Sequence, residues 1–185
     1  KNKSQAGALF DFTHGVDLDQ RLFSQEVLVQ RSWATALNKA GLITGKELDD
    51  ALNCFDEALK LWAAGDFEWK IEDEDVHMNL ERFVTERKGD LGKKLHQGRS
   101  RNDLIATSFR LFCADSAEVI RGQVLDLVKA LESLARNNQQ IIIPGQTHLQ
   151  NGQPVLLSHI LLCYGQWFLR DIERLDQSID RCLRY

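Results

Sequence analysis

Proline is scarce in this chain: only Pro144 and Pro154 occur among 185 residues, and long stretches contain no glycine. Because proline and glycine mark the turns between short strands, their scarcity argues against a turn-rich β sandwich and favours long helices. Hydrophobic residues make up 43% of the chain and charged residues 27%, which excludes a disordered tail. A chain of this length forms one domain, or one domain and part of a second.

Cysteine is also sparse, and its positions are widely spaced. The 4 cysteines include no C-x-x-C pair, so the sequence suggests neither a zinc site nor a disulfide framework. Free thiols suit a reducing compartment, and the first twelve residues lack the apolar stretch of a signal peptide. No apolar run approaches the roughly 20 residues of a membrane-spanning helix. We therefore predict a cytoplasmic protein without a membrane span, and the net charge of −4 argues against a nucleic-acid partner.

Apolar residues recur at intervals of three and four along most of the chain, as they do on one face of a helix. Thr44 and Glu47 have the spacing of a capping box, which marks the start of a helix. The pattern predicts an arm over residues 1–16, and then helices over 18–40, 44–65, 73–89 and 100–137.

Two polar segments separate the later helices. Residues 90–99 are basic and glycine-spaced, and they are predicted to form a loop. Residues 141–145 are predicted to be an extended apolar link, because Pro144 disfavours helix in the residue before it. A second loop is expected to run to residue 153, and Pro154 is suited to the first turn of a last helix.

These elements predict an all-α fold, an elongated bundle of long helices. We expect an N-terminal helical domain with its arm over residues 1–99, and the first long helices of a central bundle over residues 100–185. A helix of about 37 residues is about 55 Å long, whereas a compact globule of this size has a diameter of about 40 Å. We therefore expect the long helix to pack against other chains. The last helix reaches Tyr185 without a capping residue, and we expect more protein to follow it.

The basic segment over residues 92–103 is the first candidate for a functional site. It leads directly into the long helix, whose N-terminus offers unpaired N–H groups and a partial positive charge. Arg99 and Arg101 add donors suited to carboxylates, and Asn102 can both donate and accept hydrogen bonds. These features predict a site for a small anion. The alternative is a solvated basic loop in which Ser100 is an ordinary N-cap, and spacing alone does not decide between them.

The second candidate is the polar, glycine-bounded segment over residues 145–154. His148 is suited to general acid–base chemistry near neutral pH, and Thr147, Gln150 and Gln153 are placed to orient it or to bind a substrate. The alternative is an ordinary connection with an incidental histidine. The acidic residues 72–75 suit a helix N-terminus, and they lack a metal-ligand pattern, so we predict no metal site.

Taken together, three segments resemble the argininosuccinate lyase family and the related δ-crystallins, within the fumarase/aspartase superfamily. Residues 74–77 (EDVH) are similar to the family's E-D-I/V-H segment, and residues 94–103 (KLHQGRSRND) to its K-L-H-T-G-R-S-R-N-D segment. Residues 144–154 (PGQTHLQNGQP) are similar to its P-G-Y-T-H-L-Q-x-A-Q-P segment. The S-R-N-D and T-H-L-Q pair favours this family over fumarase or adenylosuccinate lyase. The resemblance covers nearly the whole chain, but only about two fifths of the family's length.

The resemblance implies an all-α homotetramer whose active sites are each built from three subunits. It implies a reversible β-elimination of argininosuccinate to arginine and fumarate without a cofactor. His148 would belong to the acid–base machinery, and Asn102 and Thr147 would bind the substrate. The same pocket would include or adjoin Ser100, Arg101, Asp75, His77 and Gln150.

The chain also departs from the family pattern. The family's flexible G-S-S-x-M-P-x-K-x-N-P loop, which supplies a serine for proton abstraction, is absent, and residues 8–12 replace its W-G-G-R-F. Gly15 aligns with a substrate-binding serine, Leu104 stands where glutamine is usual, and Ser108 where aspartate is usual. Two alternatives therefore remain open: a sister lyase for another succinyl-type substrate, and a non-catalytic helical module that binds partners.

Overall fold

The computed structural model describes residues 15–184, and these form helices and one two-stranded antiparallel sheet. The predicted all-α class is confirmed. The elements in chain order are α1 (Val16–Asp19), a 3₁₀ turn (Gln20–Leu22), α2 (Phe23–Lys39), α3 (Gly45–Ala64), a second 3₁₀ turn (Ile71–Asp73), α4 (Val76–Lys88), α5 (Leu91–Leu95), α6 (Arg101–Asn137), β1 (Ile142–Thr147), β2 (Gln150–Leu156) and α7 (Leu157–Arg184). Most of the predicted arm, including the segment over residues 8–12, lies outside the described residues.

The predicted helix ends at α3 and α4 are confirmed by their caps. At the start of α3, the backbone N–H of Glu47 donates to Oγ1 of Thr44 at 3.2 Å, and the N–H of Thr44 donates to Oε2 of Glu47 at 2.8 Å. Gly65 ends this helix with φ +79°, a left-handed conformation that glycine adopts without steric cost. Asp75 caps α4 by accepting a hydrogen bond from the N–H of Met78 at 2.8 Å.

The chain divides into two compact units between Phe112 and Cys113, inside α6. The division lies within a continuous helix, so the expected domain boundary at residues 99 and 100 stays a prediction. α6 itself matches the predicted helix over residues 100–137 to within one residue.

The core of the first unit is formed by the apolar faces of α2, α3, α4 and α5. Phe23 is fully buried at its centre and contacts three aromatic rings, with centroid distances of 4.7 Å to Phe67, 5.3 Å to Trp69 and 5.7 Å to Trp62. The apolar stripe predicted along α3 places Phe55 in the same core. Burial of large side chains of this kind contributes about 1.5–3 kcal/mol each.

The prediction of a loop over residues 90–99 was wrong in part, because α5 forms within it. Leu91 and Leu95 lie four residues apart, on one helical face, and both are buried in the core. The burial of this pair outweighs the helix-weakening effect of the intervening Gly92.

The prediction of a loop up to residue 153, with a helix opened by Pro154, was also wrong. β1 and β2 pair as a hairpin in which Pro144 lies opposite Pro154, and α7 begins only at Leu157. Proline donates no backbone hydrogen bond, and a sheet of two strands tolerates it because each strand is an edge. The extended link that we predicted over residues 141–145 is the first strand of this hairpin, continued to Thr147.

Large apolar side chains remain exposed along the helices of the second unit. They are Val119, Ile120, Leu125, Leu127 and Leu134 on α6, and Leu162, Tyr164, Trp167, Leu169 and Leu183 on α7. An ion pair of 2.5 Å between Nε of Arg121 and Oδ1 of Asp176 joins the two helices. No helix within residues 15–184 is long and apolar enough to cross a membrane.

Candidate functional site

A strained turn precedes the acidic end of α4. The N–H of Asp75 donates to the carbonyl of Asp73 at 2.8 Å, and the intervening Glu74 has φ +67° and ψ −42°. This is a classic γ-turn, which is rare and strained in residues that carry a side chain. The carbonyl of Glu74 also accepts a hydrogen bond from the N–H of Gly15 at 2.8 Å. The turn therefore fixes the backbone at the N-terminus of α4, where Asp75 caps the helix.

Arg101 connects this turn to the start of α6. Its Nη1 atom lies 3.3 Å from Oδ2 of Asp75 and 3.7 Å from Oε2 of Glu74. The other carboxylate oxygen of Asp75 caps α4. One aspartate thus fixes the position of two helix N-termini, and the structure brings together two of the motif segments that are distant in the sequence.

The first turn of α6 is capped by side chains of the same segment. The N–H of Ser100 donates to Oδ2 of Asp103 at 2.9 Å, and the N–H of Asn102 donates to Oγ of Ser100 at 3.2 Å. Ser100 therefore has the capping role that we gave as the alternative interpretation. The side chain of Asn102 is exposed at the same helix end, where the partial positive charge of the helix favours an anion.

Most of the basic side chains before α6 are already paired with acids. Nζ of Lys94 lies 2.5 Å from Oε1 of Glu47, and Nδ1 of His96 lies 3.3 Å from Oε2 of Glu81. Hydrogen bonds from Lys94 and Thr44 lower the pKa of Glu47 to about 2. Lys94 and His96 are therefore less available to a small anion than the sequence suggests, and the anion site stays a prediction.

A buried polar cluster lies behind this helix end. Nδ1 of His77 is 2.6 Å from Oε2 of Glu26, and both side chains are buried, with 4% and 0% of their residue surface exposed. Oγ of Ser108 lies 2.9 Å from the same carboxylate oxygen. Gln30 donates to Oε1 of Glu26 at 2.8 Å and accepts from Nη2 of Arg99, also at 2.8 Å. The cluster links α2, α4 and α6 to the basic segment.

The charges of this cluster affect the pKa values of two further groups, Asp19 and Arg99. Burial raises the pKa of Asp19, the positive form of His77 opposes that shift, and the charge of Asp75 adds to it. Burial lowers the pKa of Arg99, and the negative charges of Glu26 and Glu81 oppose the change. Nε and Nη1 of Arg99 are buried and have no hydrogen-bond partner among residues 15–184.

An open groove borders the start of α6 where it faces α2. Its volume is about 410 Å³, its walls are mostly apolar, and the indole N–H of Trp33 donates to the carbonyl of Gln97 at 3.2 Å beside it. It is lined by Val29, Ser32, Trp33, Gly98, Arg99, Asp103, Leu104 and Thr107. Leu104, which stands where the family has glutamine, is buried here.

The hairpin of the second unit carries the other predicted residues at its tip. Thr147 pairs with Gln150, so His148 and Leu149 form a two-residue turn, with φ +49° and +63°. Positive φ at both central residues is the pattern of a type I′ turn, where Asn-Gly is usual. His148 is exposed, and Leu149 is 93% exposed. The turn therefore presents an imidazole and an apolar side chain to the outside of this unit.

Comparison with known proteins shows the family to which the chain belongs. A family model described as "Lyase" matches residues 5–184. The chain belongs to this lyase family. The chain is 44% identical over 174 residues to the argininosuccinate lyase of Acinetobacter baylyi, a match that covers 94% of the chain and 36% of that relative. It is 42% identical over 170 residues to the argininosuccinate lyase of Hahella chejuensis, covering 92% and 36% respectively. This lyase chain therefore spans little more than a third of the length of the curated relatives it matches.

Solved structures share the fold of this lyase chain. EDDS lyase in complex with formate superposes with a TM-score of 0.76 at 21% identity, covering 94% of this chain and 33% of that chain. A β-carboxy-cis,cis-muconate cycloisomerase from Acinetobacter calcoaceticus superposes with a TM-score of 0.65 at 23% identity, covering 86% and 38%. The resemblance to argininosuccinate lyases that the three motifs carry is confirmed by the family match and the curated relatives, and the solved structures confirm the fold.

The predicted site residues of this lyase chain fall into two groups. Five of them lie together in the unit that ends at Phe112: Asp75, His77, Ser100, Arg101 and Asn102. Three of them lie in the hairpin of the unit that begins at Cys113: Thr147, His148 and Gln150. Their roles in binding and catalysis stay predictions.

Sequence reasoning missed the buried partner of His77, which is Glu26. Glu26 and its neighbour Gln30 lie inside α2, and no motif in the chain marks them. Ser108, named above only as a departure from the family pattern, also contacts Glu26. A usable signal was present in α2, because the apolar stripe runs through Leu22, then the position of Glu26, and then Trp33. A carboxylate on the buried face of a helix is costly unless it is paired, so such a position indicates a polar cluster.

Proposed function

We propose that the protein to which this chain belongs is an argininosuccinate lyase, which converts argininosuccinate into arginine and fumarate. The observation that carries the proposal is the joining of Arg101 to Asp75 at the N-terminus of α6, in a chain 44% identical to curated argininosuccinate lyases. An arginine beside a helix N-terminus is a strong site for a carboxylate, and a succinyl group carries two.

The chemistry divides between the two groups of residues. Arg101 and Asn102 bind a carboxylate of the succinyl moiety, with Ser100, Asp75 and His77 holding that region in place. In the elimination, a base that this chain does not supply, the serine of the family's flexible loop, takes the proton from the carbon next to a carboxylate. The C–N bond to the guanidino nitrogen then breaks, and the double bond of fumarate forms. His148 moves a proton to or from the leaving nitrogen, since imidazole titrates near neutral pH, and Thr147 and Gln150 flank it. The reaction requires no cofactor.

We also propose a cytoplasmic homotetramer for the whole protein. The support is the row of exposed apolar side chains along α6 and α7 after Cys113, since contiguous apolar surface of this kind is typical of an interface. The proposed partners are the substrate and further copies of the chain, without a nucleic acid or a membrane.

One observation favours the alternative of a sister lyase with another succinyl-type substrate. A Cβ atom added to Gly15 would overlap with the carboxylate of Asp19. Where the family has a substrate-binding serine, this chain therefore has no room for a side chain unless Asp19 moves. A changed substrate, or a helical module without catalysis, is compatible with that difference.

A chimera tests the proposed function. This chain replaces the matching part of the Acinetobacter baylyi relative, which supplies the rest of the length, and fumarate release from argininosuccinate is followed by ultraviolet absorbance. We expect turnover by the chimera, and none by residues 1–185 alone. The native relative, prepared in the same way, controls for assembly.

Each outcome of the chimera experiment decides between the candidates. An assembled chimera that releases fumarate from argininosuccinate supports the proposal. An assembled chimera that does not cleave argininosuccinate but cleaves another N-succinyl compound indicates the sister lyase. An assembled chimera without activity on any succinyl compound contradicts both, and indicates the non-catalytic module.

A further inference from the structure

The hydrogen bonds that run from Arg99 through Gln30 to Glu26 have only one consistent direction. Nη2 of Arg99 can only donate, so the atom of Gln30 that faces it at 2.8 Å must be the amide oxygen. The amide nitrogen of Gln30 must then face Glu26, and it donates to Oε1 at 2.8 Å. The arginine thus fixes the orientation of the glutamine amide, and that orientation makes Glu26 an acceptor.

The second oxygen of Glu26 receives the remaining contacts. Nδ1 of His77 lies 2.6 Å from Oε2, and Oγ of Ser108 lies 2.9 Å from the same atom. Ser108 also lies 2.8 Å from the carbonyl of Leu104, and its single hydroxyl hydrogen is shared between the two acceptors. As a carboxylate, Glu26 can only accept hydrogen bonds, and in that form its short contact requires a hydrogen on Nδ1 of His77.

The cluster also explains how a carboxylate can remain buried here. Glu26 has no exposed surface, and its charge is matched by Arg99, one glutamine amide away. The charge of Glu26 acts on Arg99 by opposing the fall that burial causes in the arginine's pKa. A buried charge that is both paired and fully hydrogen-bonded fixes the geometry of its neighbours more than it adds to stability.

We propose that Glu26 is a positioning residue, whose carboxylate holds His77 as the Nδ1–H tautomer and leaves Nε2 as the imidazole's acceptor. The tautomer assignment is argued from the geometry of Glu26, Gln30 and Arg99 with Glu26 as a carboxylate, and it does not depend on the proposed function. Only the placing of His77 in a substrate pocket rests on the proposed function. The charge of His77 also interacts with Asp19, a second carboxyl, which lies in α1.

NMR spectroscopy of the histidine ring nitrogens tests the proposal in the 185-residue chain. A long-range ¹H–¹⁵N spectrum separates protonated from unprotonated ring nitrogens, and a His77→Gln variant assigns the signals. At a pH at which the ring is neutral, we expect the ¹⁵N chemical shift of a protonated nitrogen for Nδ1 of His77 and that of an unprotonated nitrogen for Nε2. His148 is exposed, and it serves as the internal reference for an imidazole that no carboxylate holds.

Three variants separate positioning from simple packing. In Glu26→Gln the amide has the same shape but can donate or accept, so we expect His77 to lose its single-tautomer pattern while His148 is unchanged. Glu26→Asp retains the charge and is expected to retain the pattern. Ser108→Ala removes one contact to Glu26 without touching His77, and is also expected to retain it. The unfolding midpoint of each variant is measured in urea.

The result that would overturn the proposal is equally direct. A protonated Nε2 in the unmodified chain contradicts it even if no variant folds. A folded Glu26→Gln protein whose His77 spectrum is unchanged, with only its unfolding midpoint lowered, shows that Glu26 packs without positioning. Failure of the chimera's activity has no bearing on either spectrum, so the two proposals fail separately.

Discussion

The guanidinium of Arg101 lies 3.3 Å from the carboxylate of Asp75, and this contact ties the first turn of α6 to the first turn of α4. Asp75 serves both helices, because its other oxygen caps α4 through the N–H of Met78. A carboxylate ligand that binds Arg101 therefore meets an arginine that is already oriented. The same arrangement makes the local stability of the site sensitive to single substitutions.

Replacing Asp75 separates its two roles. Asp75→Ala removes both the cap and the ion pair, and we expect a loss of about 1 kcal/mol in the free energy of unfolding, since an N-cap contributes about that much. Asp75→Asn retains a capping oxygen and loses only the charge, so we expect a much smaller loss. Urea unfolding of both variants checks this. Equal losses would show that the ion pair, and not the cap, stabilises this end of α4.

The γ-turn at Glu74 predicts a stabilising substitution. Its φ of +67° is strained for a residue with a side chain and unstrained for glycine. We expect Glu74→Gly to raise the free energy of unfolding by about 1 kcal/mol, after the greater flexibility of glycine in the unfolded chain is subtracted. Glu74→Ala is the control, because it removes the carboxylate and keeps the strain. If the glycine variant were no more stable than the alanine variant, the backbone at residue 74 would not be strained.

Acid should weaken the first unit partly through Glu47. Hydrogen bonds from Lys94 and Thr44 lower its pKa from 4.5 to about 2 in the folded chain. A lowered pKa in the folded state adds stability above the unfolded value, and this stability is lost as the pH falls from about 4.5 towards 2. We therefore expect Lys94→Met to destabilise the chain at neutral pH and to differ less from the unmodified chain as acid is added.

The control for the acid experiment is Lys93→Met, which removes the same charge from an exposed pair with Asp90. Unfolding midpoints in urea are measured across the pH range for all three proteins. A constant difference between Lys94→Met and the unmodified chain at every pH would show that protonation of Glu47 is not involved.

Two glycines inside helices should respond to alanine in opposite ways. At Gly122 in α6 an added Cβ meets nothing within 4 Å, so Gly122→Ala should stabilise the chain by about 0.5–1 kcal/mol. At Gly92 in α5 the added Cβ would overlap with the hydroxyl of Thr85 and lie 3.0 Å from its backbone nitrogen. We expect Gly92→Ala to cost about 1–3 kcal/mol, as overpacking does. Thermal unfolding of the pair checks both signs. A stabilised Gly92→Ala variant would contradict the packing around α5, and a destabilised Gly122→Ala variant would contradict the open space at Gly122.

Sequence periodicity predicted the helices well because their signals are local. The cap at Thr44, the stop at Gly65 and the apolar stripe of α6 each depend on neighbours within one or two turns. The hairpin was missed because its signal is a pairing between residues ten apart, with Pro144 opposite Pro154. Taken alone, Pro144 predicts an extended link and Pro154 predicts the first turn of a helix. The short helix α5 was missed because the contacts that stabilise it, such as the burial of Leu91 and Leu95, are tertiary.

The residues of the candidate site that lie in sequence motifs could be predicted. Residues of three segments were identified from their spacing and their resemblance to a family, including Arg101 and His148. The acids that pair with Lys94 and His96 were not identified, because they come from α3 and α4. The carboxylate beside His77 comes from α2. Contacts of this kind depend on how helices pack, which a single sequence does not encode in any short pattern.

The substitution His148→Asn in the active chimera tests the central claim most directly. General acid–base help from a histidine contributes about 10²–10⁴ in rate, and His148 is exposed at the tip of a hairpin, where it supports no core. The account predicts that kcat for fumarate release falls by a factor of that size, while the unfolding midpoint and the sedimentation of the assembly are unchanged. A near-normal kcat would contradict the account and remove His148 from the mechanism.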